Sequence, residues 1–429
     1  MSGNIFTQAP WRTRAGGAPH QSLARTQARR RQGAQMYKRI IAPIDNSPHS
    51  DEAVKLASSI AERFGSTVFG FHAYAARLHE RRFTQMEPGL PERYQTPDEL
   101  ERQRSTHESL ISNGLQIISE SYLDHAQELC REREVPFERQ MAEGKNYVEV
   151  LSEIDRDGYD LVAMGAVGLG AVPRSLIGGV SERVLRGANI DVVLVRKSKP
   201  NSNGIMAAVD GSPESFKAVE SALALGAALE QPVEVVSVYD PEFHIVAFKS
   251  VADVLSDAGA ELFRFDDQQK LHEEIIDRGL ETLYQGHLDT AAKMGEAAGQ
   301  RVTTTLLEGK PFQRMLDHAD ERNPTMLVIG RFGLHKTDAA DIGSTCENLA
   351  RLARCSVLVS SGRITPEPID DSADDESIPW SADAEERLQN VPPFARNMAR
   401  QAIEEYARDG GHDEVTLEVM DEARERMGM

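Results

Sequence analysis

Short apolar runs alternate with amphipathic stretches between residues 36 and 361. The runs are rich in β-branched residues and bounded by turn residues, which is typical of buried strands in a parallel sheet. They cover residues 39–44, 67–73, 160–164, 192–195, 205–209, 233–238, 325–329 and 357–359. Ser47-Pro48 follows the first run and predicts a helix start, with Ser47 as the capping residue. Strands that alternate with helices predict an α/β protein built from βαβ units.

The same motifs occur twice in this region, at one fixed offset of 165 residues (210 − 45). The paired motifs are Asp45-Asn46-Ser47-Pro48 with Asp210-Gly211-Ser212-Pro213, Glu143-Gly144-Lys145 with Glu308-Gly309-Lys310, and Gly165, Gly168 and Gly178 with Gly330, Gly333 and Gly343. Three separated motifs at one offset indicate that a domain has been duplicated. We therefore expect two tandem domains, residues 36–200 and 201–361. Each carries a long, mainly helical insertion, residues 75–132 and 241–299, that serves as a lid or a partner surface.

The two ends of the chain differ in composition from these domains. Residues 1–35 carry six arginines and no acidic residue, and we expect a disordered basic tail there. A transit peptide, a basic arm and a start of translation at Met36 are the alternatives. Residues 362–379 combine prolines with clustered acidic residues and predict a flexible acidic linker. Residues 380–429 regain an apolar periodicity that predicts a small helical module.

Composition narrows the class of function. The formal net charge is −20 at pH 7, so we expect no nucleic-acid partner, because a phosphate backbone requires clustered Lys and Arg. No run of about 18 apolar residues occurs, which predicts no membrane span. Three cysteines without CxxC spacing are typical of a reduced, cytoplasmic protein. Because metal-ligand spacings and the common nucleophile motifs are also missing, we expect no metal and no enzyme.

Two kinds of candidate ligand residue recur in both domains. Asp45 and Asp210 directly follow strands, at the carboxyl ends where open α/β sheets bind ligands, and a carboxylate there can accept hydrogen bonds from ribose hydroxyls. Alone, such an aspartate is more often a turn or capping residue. The series Gly330-x2-Gly333-x9-Gly343-Ser344 lies between a strand and a helix start, so its backbone N–H groups can approach a phosphate closely. Together the two features predict a nucleotide site.

These motifs resemble the universal stress protein family. Residues 36–45 look like the start of such a domain, and Gly-x2-Gly-x9-Gly-Ser is similar to the family's ATP-binding signature. The resemblance covers residues 36–361 and implies two five-stranded parallel sheets of order 3-2-1-4-5, an adenine-nucleotide alpha-hydrolase-like fold. It further implies dimers formed through the last strand, and ATP or AMP as the ligand, with or without Mg²⁺.

Carried over by position, the resemblance implies ligand contacts in both domains. In the second domain these are Asp210 for ribose, Ala208 and Val238 around the base, and Gly330, Gly333, Gly343 and Ser344 for phosphates. In the first domain they are Pro43, Asp45, Ala73, Gly165, Gly168 and Gly178.

Each domain departs from the signature in its own way. The first domain lacks the hydroxyl at Gly179, although Arg174 adds a cation to its loop. The second loop holds Asp338 and Asp341, which would repel a triphosphate, and Lys336 and His335, which partly offset them. The more complete motif makes the second site the stronger expectation.

The last 50 residues resemble the small C-terminal helical domain of a subunit of light-independent protochlorophyllide reductase. The matching residues are Trp380, Leu388, Val391-Pro392, Phe394, Arg396, Glu404, Tyr406-Ala407 and Val415-Thr416. No cysteine lies beyond Cys355, so the resemblance does not imply a reductase. We expect the module either to dock a partner or sense a tetrapyrrole, or to pack as a helical hairpin on the other domains.

The combined expectation is a cytoplasmic tandem universal stress protein whose domains form an internal pseudo-dimer. It would bind ATP or AMP and act in the stress response through conformation or partner contacts. A homo-oligomer and a protein partner for the C-terminal module are left open. The alternatives are a stress scaffold that does not bind nucleotide, and a slow ATPase.

Overall fold

The computed structural model describes residues 36–172, 175–197, 199–241, 277–334, 336, 341–366, 378–391 and 393–426. The expected basic tail, residues 1–35, lies outside these residues, as do residues 367–377 of the expected linker. The chain divides into two compact units, Met1–Pro366 and Glu367–Met429.

Ten strands among the described residues form one sheet in the first unit. They are β1 (Arg39–Pro43), β2 (Thr67–Tyr74), β3 (Phe137–Glu143), β4 (Leu161–Gly165), β5 (Asp191–Val195), β6 (Ile205–Ala208), β7 (Val233–Tyr239), β8 (Val302–Glu308), β9 (Met326–Gly330) and β10 (Ser356–Ser360). Their spatial order is β3-β2-β1-β4-β5-β10-β9-β6-β7-β8. Each half therefore has the order 3-2-1-4-5, and the expected fold class is confirmed.

Helices cover the two faces of this sheet. Those described in the first unit are α1 (Pro48–Phe64), α2 (Ala76–Met86), α3 (Pro97–Arg131), α4 (Asn146–Asp157), α5 (Gly179–Gly187), α6 (Pro213–Leu229), α7 (Asp277–Ala297), α8 (Pro311–Arg322) and α9 (Ser344–Leu352). Ser47 and Ser212 cap α1 and α6 by accepting hydrogen bonds from Ser50 N and Ser215 N. A proline stands at the start of both helices, as the sequence predicted.

Alternate residues of the central strands pack into two apolar cores, one on each face of the sheet. In β1, Ile40 belongs to one core and Ile41 to the other. In β4, Leu161 and Val162 are divided in the same way. A strand that is buried on both faces must be apolar along its length, which is why these strands were visible as continuous apolar runs. Each buried aliphatic side chain contributes about 1.5–3 kcal/mol.

The two domains join through their last strands. β5 and β10 pair antiparallel, with Val193 opposite Leu358, so the two five-stranded sheets become one. This pairing gives the first unit the internal pseudo-dimer that the resemblance implied.

Two arginines, Arg331 buried and Arg196 half-buried, reinforce the joint at the ends of helices. Arg331 of the second domain donates from Nη1 to Leu185 O, at the C-terminus of α5, at 2.7 Å. Arg196 of the first domain donates from Nη2 to Ala350 O, near the C-terminus of α9, at 2.7 Å. Since a helix C-terminus leaves carbonyl groups unpaired and carries partial negative charge, each domain caps a helix of the other.

The edge strands β3 and β8 were not among the apolar runs. Most of their residues are exposed or half-buried, so neither strand carries a buried apolar run. Their pairing with β2 and β7 extends the sheet by one strand on each side.

The second unit contains three described helices, α10 (Ala382–Gln389), α11 (Pro393–Gly410) and α12 (Leu417–Arg426). Its core is formed by Ala384, Ala407, Val415, Val419 and Met420. Trp380 precedes the first helix and forms a β-bridge with Val415, and its indole Nε1 donates to Glu404 Oε1 at 2.8 Å. The first helix of the module begins at Ala382, with Ser381 as its cap.

Candidate functional site

The two predicted aspartates lie just beyond the carboxyl ends of β1 and β6. Asp45 Oδ1 accepts a hydrogen bond from Ser47 N at 3.0 Å, and Oδ2 accepts one from Leu169 N at 2.9 Å. The first bond is the turn role that an aspartate after a strand commonly has. The second bond joins the carboxylate to the glycine loop, more than a hundred residues away in sequence. Asp45 is therefore both a turn residue and a part of the loop structure.

Asp210 has the same arrangement in the second domain. Its Oδ1 accepts from Ser212 N at 3.0 Å and from Ser212 Oγ at 2.6 Å. Its Oδ2 accepts from Leu334 N at 3.2 Å. An ionised carboxylate offers about four acceptor positions, so Asp45 retains about two and Asp210 about one for a ligand.

The middle glycine of each series allows this approach. A Cβ at Gly168 would overlap Asp45 Oδ2, and a Cβ at Gly333 would overlap Asp210 Oδ2. Glycine is required at these positions because the carboxylate occupies the space of a side chain, which explains the first spacing of the motif.

The third glycine of each series starts a helix. Gly178 N donates to Ala166 O at 2.7 Å, and Gly343 N donates to Arg331 O at 2.9 Å, which fixes the loop against its own strand end. The helices α5 and α9 follow at once, with Gly178 and Gly343 as cap residues. The first N–H groups of a helix have no partner within the helix and favour anions.

A cleft lies between these elements in the first domain. We call it cleft 1; its volume is about 690 Å³. Every residue expected to contact ligand in this domain lines it, namely Pro43, Asp45, Ala73, Gly165, Gly168 and Gly178. The insertion contributes Leu115, Ile118 and Tyr122 of α3, so this helix acts as one wall of the cleft.

The second domain has an equivalent cleft of about 510 Å³, which we call cleft 2. It is lined by the expected residues Ala208, Asp210, Val238, Gly330, Gly333, Gly343 and Ser344. Among the described residues of the insertion, Tyr284 of α7 lines this cleft, and residues 242–276 lie outside the described part of the chain. Both clefts fall in the size range of small-molecule sites, about 300–1,000 Å³.

His72 of β2 lies on the wall of cleft 1. Its Nδ1 is 2.8 Å from Ser119 Oγ, and burial lowers the pKa of its imidazole. A neutral imidazole leaves this wall uncharged at neutral pH.

Cys346, in cleft 2, occupies the place that Ser181 holds in the first domain. Burial raises the pKa of its thiol to about 12, so the thiol is protonated and adds no negative charge at the helix start.

Of the loop charges that the sequence singled out, Lys336 lines its cleft and Asp341 does not. Asp341 Oδ1 accepts from Arg186 Nη1 at 2.8 Å and does not line cleft 2. Lys336 does line cleft 2, with its Nζ 4.4 Å from the centre of the Phe332 ring. The other loop charges named above, Arg174, His335 and Asp338, lie outside the described residues. Arg183, which sequence reasoning did not select, lines cleft 1.

Other kinds of site are not found in the part of the chain that the structure describes. No group of three or more His, Cys, Asp or Glu side chains there is arranged to hold a metal ion. Within the same residues, no helix combines the length and the apolar character that crossing a membrane requires.

A two-domain α/β sheet with a carboxylate, a glycine loop and a helix start at one edge of each half defines a class of ligand-binding proteins. The model of the universal stress protein family matches residues 36–196 and 202–361. This match spans more than half of the chain, and the protein belongs to the universal stress protein family.

One curated relative and one solved structure align with about three quarters of this chain. A universal stress protein of Mycobacterium tuberculosis is 24% identical over 331 residues, which cover 76% of this chain and 97% of the relative. The crystal structure of a universal stress protein from Archaeoglobus fulgidus DSM 4304 aligns with 76% of this chain and 98% of that chain, at 16% identity and a TM-score of 0.49.

The C-terminal module has a different relationship. The family model described as proto-chlorophyllide reductase 57 kD subunit matches residues 380–424. The light-independent protochlorophyllide reductase of Chlorobium phaeobacteroides has a subunit that is 41% identical over 58 residues, which are 14% of this chain and 11% of the reductase polypeptide. The similarity therefore concerns one small module of a much longer reductase polypeptide.

Proposed function

We propose that each domain binds an adenine nucleotide, ATP or AMP, in its cleft. The protein would act in the stress response by a change of conformation or partner contacts, and not as an enzyme. The observation that carries the proposal is the hydrogen bond between the aspartate and the glycine loop in each domain. Asp45 accepts from Leu169 N, and Asp210 accepts from Leu334 N. These bonds bring the carboxylate, which would accept from ribose, and the helix start, which would bind phosphate, into one cleft.

The parts of a nucleotide match the parts of each cleft. Ribose hydroxyls donate to the remaining acceptor positions of the aspartate. The base lies against Pro43 and Ala73 in cleft 1, and against Ala208 and Val238 in cleft 2. Phosphates lie at the first turns of α5 and α9, where N–H groups and the helix dipole favour negative charge. Ser344 adds a hydroxyl in cleft 2, and Mg²⁺ accompanies a bound triphosphate as its counterion.

The setting of the protein is part of the same proposal. We place it in the cytoplasm, with the C-terminal module as the contact for a protein partner. The paired domains act as the internal dimer, and larger homo-oligomers are compatible with this arrangement.

The test is a thermal melt of the purified protein with and without millimolar ATP or AMP. We expect the melting temperature to rise by several degrees, since a ligand at a hundred times its Kd stabilises by about 2.7 kcal/mol. Asp210→Ala and Ser344→Ala should reduce the rise that cleft 2 contributes. An unchanged melting temperature would favour the scaffold alternative. Phosphate release that Asp210→Ala abolishes would favour the slow ATPase.

A further inference from the structure

Arg183 is the central residue of α5, one turn after Gly179, and it lines cleft 1. Its Nη1 donates to Gly179 O at 3.0 Å, and its Cζ is 5.0 Å from the centre of the Tyr147 ring. The two contacts hold the guanidinium back against the rim of the cleft, whereas an exposed arginine otherwise extends into solvent. Its remaining N–H groups lie beside the helix start that is proposed to hold phosphate.

The charge of Arg183 is not neutralised by a described neighbour. Neighbouring arginines of α5 and α9 do have carboxylate partners: Arg186 pairs with Asp341 and Glu347, and Arg351 with Glu182 and Glu347. Among the residues with described side chains, no carboxylate lies within 4.0 Å of the Arg183 guanidinium. An arginine without a counterion, held at an anion site, is suited to bind phosphate through two parallel hydrogen bonds.

A second cation shares the same aromatic support. Lys145 Nζ is 5.0 Å from the centre of the Tyr147 ring, so an ammonium and a guanidinium contact one side chain at this rim. A cation held against an aromatic face loses little conformational freedom when it then binds an anion.

The second domain keeps a lysine, Lys310, at the position of Lys145 but differs at the other equivalent positions. The residue 165 positions after Arg183 is Asn348, and the residue equivalent to Tyr147 is Phe312. Asn348 does not line cleft 2, whereas the carboxylate residue Glu347 does. The equivalent of Glu347 in the first domain, Glu182, does not line cleft 1. Cleft 2 offers the hydroxyls of Ser344 and Thr345 and the ammonium of Lys336.

We propose that the two clefts differ in their preference for nucleotides with more or fewer phosphates. Arg183 is the residue that makes cleft 1 selective for a polyphosphate chain. Cleft 1 then favours ATP over AMP more strongly than cleft 2 does, because the additional phosphates meet a guanidinium that can form two parallel hydrogen bonds in the first cleft, whereas the second cleft offers the single ammonium of Lys336 beside the already paired Glu347. The proposal rests on the proposed function, since it requires nucleotide in both clefts. In cleft 1 a side chain outside the motif then supplies a phosphate donor where the motif lacks the hydroxyl at Gly179.

The experiment is calorimetric titration with ATP and with AMP in single-site backgrounds of the full chain. Asp210→Ala isolates cleft 1, and Asp45→Ala isolates cleft 2. We expect the ratio of ATP affinity to AMP affinity to be about tenfold or more higher in the Asp210→Ala protein, which corresponds to one charge-assisted contact. Adding Arg183→Asn should remove most of this difference, lower ATP affinity about tenfold, and change AMP affinity less than about threefold. Arg183→Lys should recover part of the ATP affinity.

The second domain provides the matched gain-of-function variant. Asn348→Arg in the Asp45→Ala background should raise ATP affinity and leave AMP affinity nearly unchanged. Equal ratios in the two backgrounds, or equal losses of ATP and AMP with Arg183→Asn, would overturn the selectivity. Absence of binding in the wild-type protein would instead overturn the proposed function itself. Arg183 and Asn348 substitutions should leave the melting temperature of the free protein unchanged, so a failure to bind is separable from a failure to fold.

Discussion

At the scale of single residues, the geometry depends on how closely a carboxylate and a loop approach each other. Asp45 and Asp210 reach the backbone N–H groups of Leu169 and Leu334 only because the preceding residue has no side chain. The aspartates and glycines were predicted from the sequence because they recur at one offset. Arg183 was not predicted, since a single arginine on an amphipathic helix looks like an ordinary surface residue. The sequence signal that could have identified it is the difference between Arg183 and its equivalent in the second domain, Asn348.

Gly168→Ala tests, without any ligand, whether Asp45 needs a residue without a side chain at position 168 to reach the loop. The new Cβ would overlap Asp45 Oδ2, so the carboxylate must turn away and lose its bond to Leu169 N. We expect a loss of about 1–2 kcal/mol in the free energy of unfolding, measured by urea denaturation.

Gly170→Ala, in the same loop, is the matched control. A Cβ at Gly170 meets no atom within 4 Å, so this variant should be nearly neutral. Equal effects of the two substitutions would show that the loop tolerates a displaced carboxylate.

At the scale of elements, the strands that could be predicted from the sequence are those whose residues are buried. The central strands are buried on both faces and appear as apolar runs, whereas β3 and β8 pair along one side only and expose polar residues. The caps of α1 and α6 were predicted because Ser-Pro after a strand has few other uses. The insertions were predicted as helical, but the part they take in the clefts depends on packing between distant segments, which no local pattern records.

Comparing Ser47→Ala with Ser212→Ala separates the helix-capping role of the serine from the hydrogen bond that Ser212 donates to Asp210. Both substitutions remove a hydroxyl that accepts a backbone N–H, which should cost about 1 kcal/mol each. Ser212 Oγ also donates to Asp210 Oδ1 at 2.6 Å, so Ser212→Ala should cost up to about 1 kcal/mol more. Chemical denaturation of the two variants measures the difference. A greater loss for Ser47→Ala would refute the assignment.

At the scale of the whole first unit, two domains become one through β5, β10 and the arginines that cross between them. Arg331 is 6% exposed and holds carbonyl groups of α5, whereas the Arg351–Glu182 pair is about a third exposed. Buried hydrogen-bonding groups are costly to leave unpaired, and exposed ion pairs contribute little. The joint therefore depends mainly on Arg331, Arg196 and the strand pairing.

Arg331→Met should lower the urea midpoint by the equivalent of about 2 kcal/mol, because the carbonyls of α5 lose their donor. Glu182→Gln, which removes two partly exposed ion pairs, with Arg351 and Arg186, should cost less than about 1 kcal/mol. If Glu182→Gln is the more destabilising variant, the surface pairs and not Arg331 and Arg196 hold the domains together.

Asp191 makes the same joint dependent on pH. It accepts hydrogen bonds from Tyr37 Oη at 2.8 Å and Ser361 N at 2.9 Å, and burial raises the pKa of its carboxyl. The folded protein therefore holds this proton more tightly than the unfolded chain does. The stabilising contribution is complete below the ordinary pKa of aspartate and is lost as the pH rises through the raised pKa.

Asp191→Asn removes this titration. Its free energy of unfolding, relative to that of the wild-type protein, should become larger as the pH rises from about 4 to 7, because only the wild-type protein loses stability. Urea denaturation at several pH values measures the trend. A relative stability that is constant, or that falls with pH, would contradict the assigned direction.

The central claim is that each half of the sheet holds one nucleotide between its aspartate and its glycine loop. Isothermal titration calorimetry of the wild-type protein with ATP, beside Asp45→Ala, Asp210→Ala and the double variant, tests this claim most directly. We predict two bound nucleotides per wild-type chain, one in each single variant and none in the double variant. Undiminished binding in the double variant, or none in the wild-type protein, would contradict it.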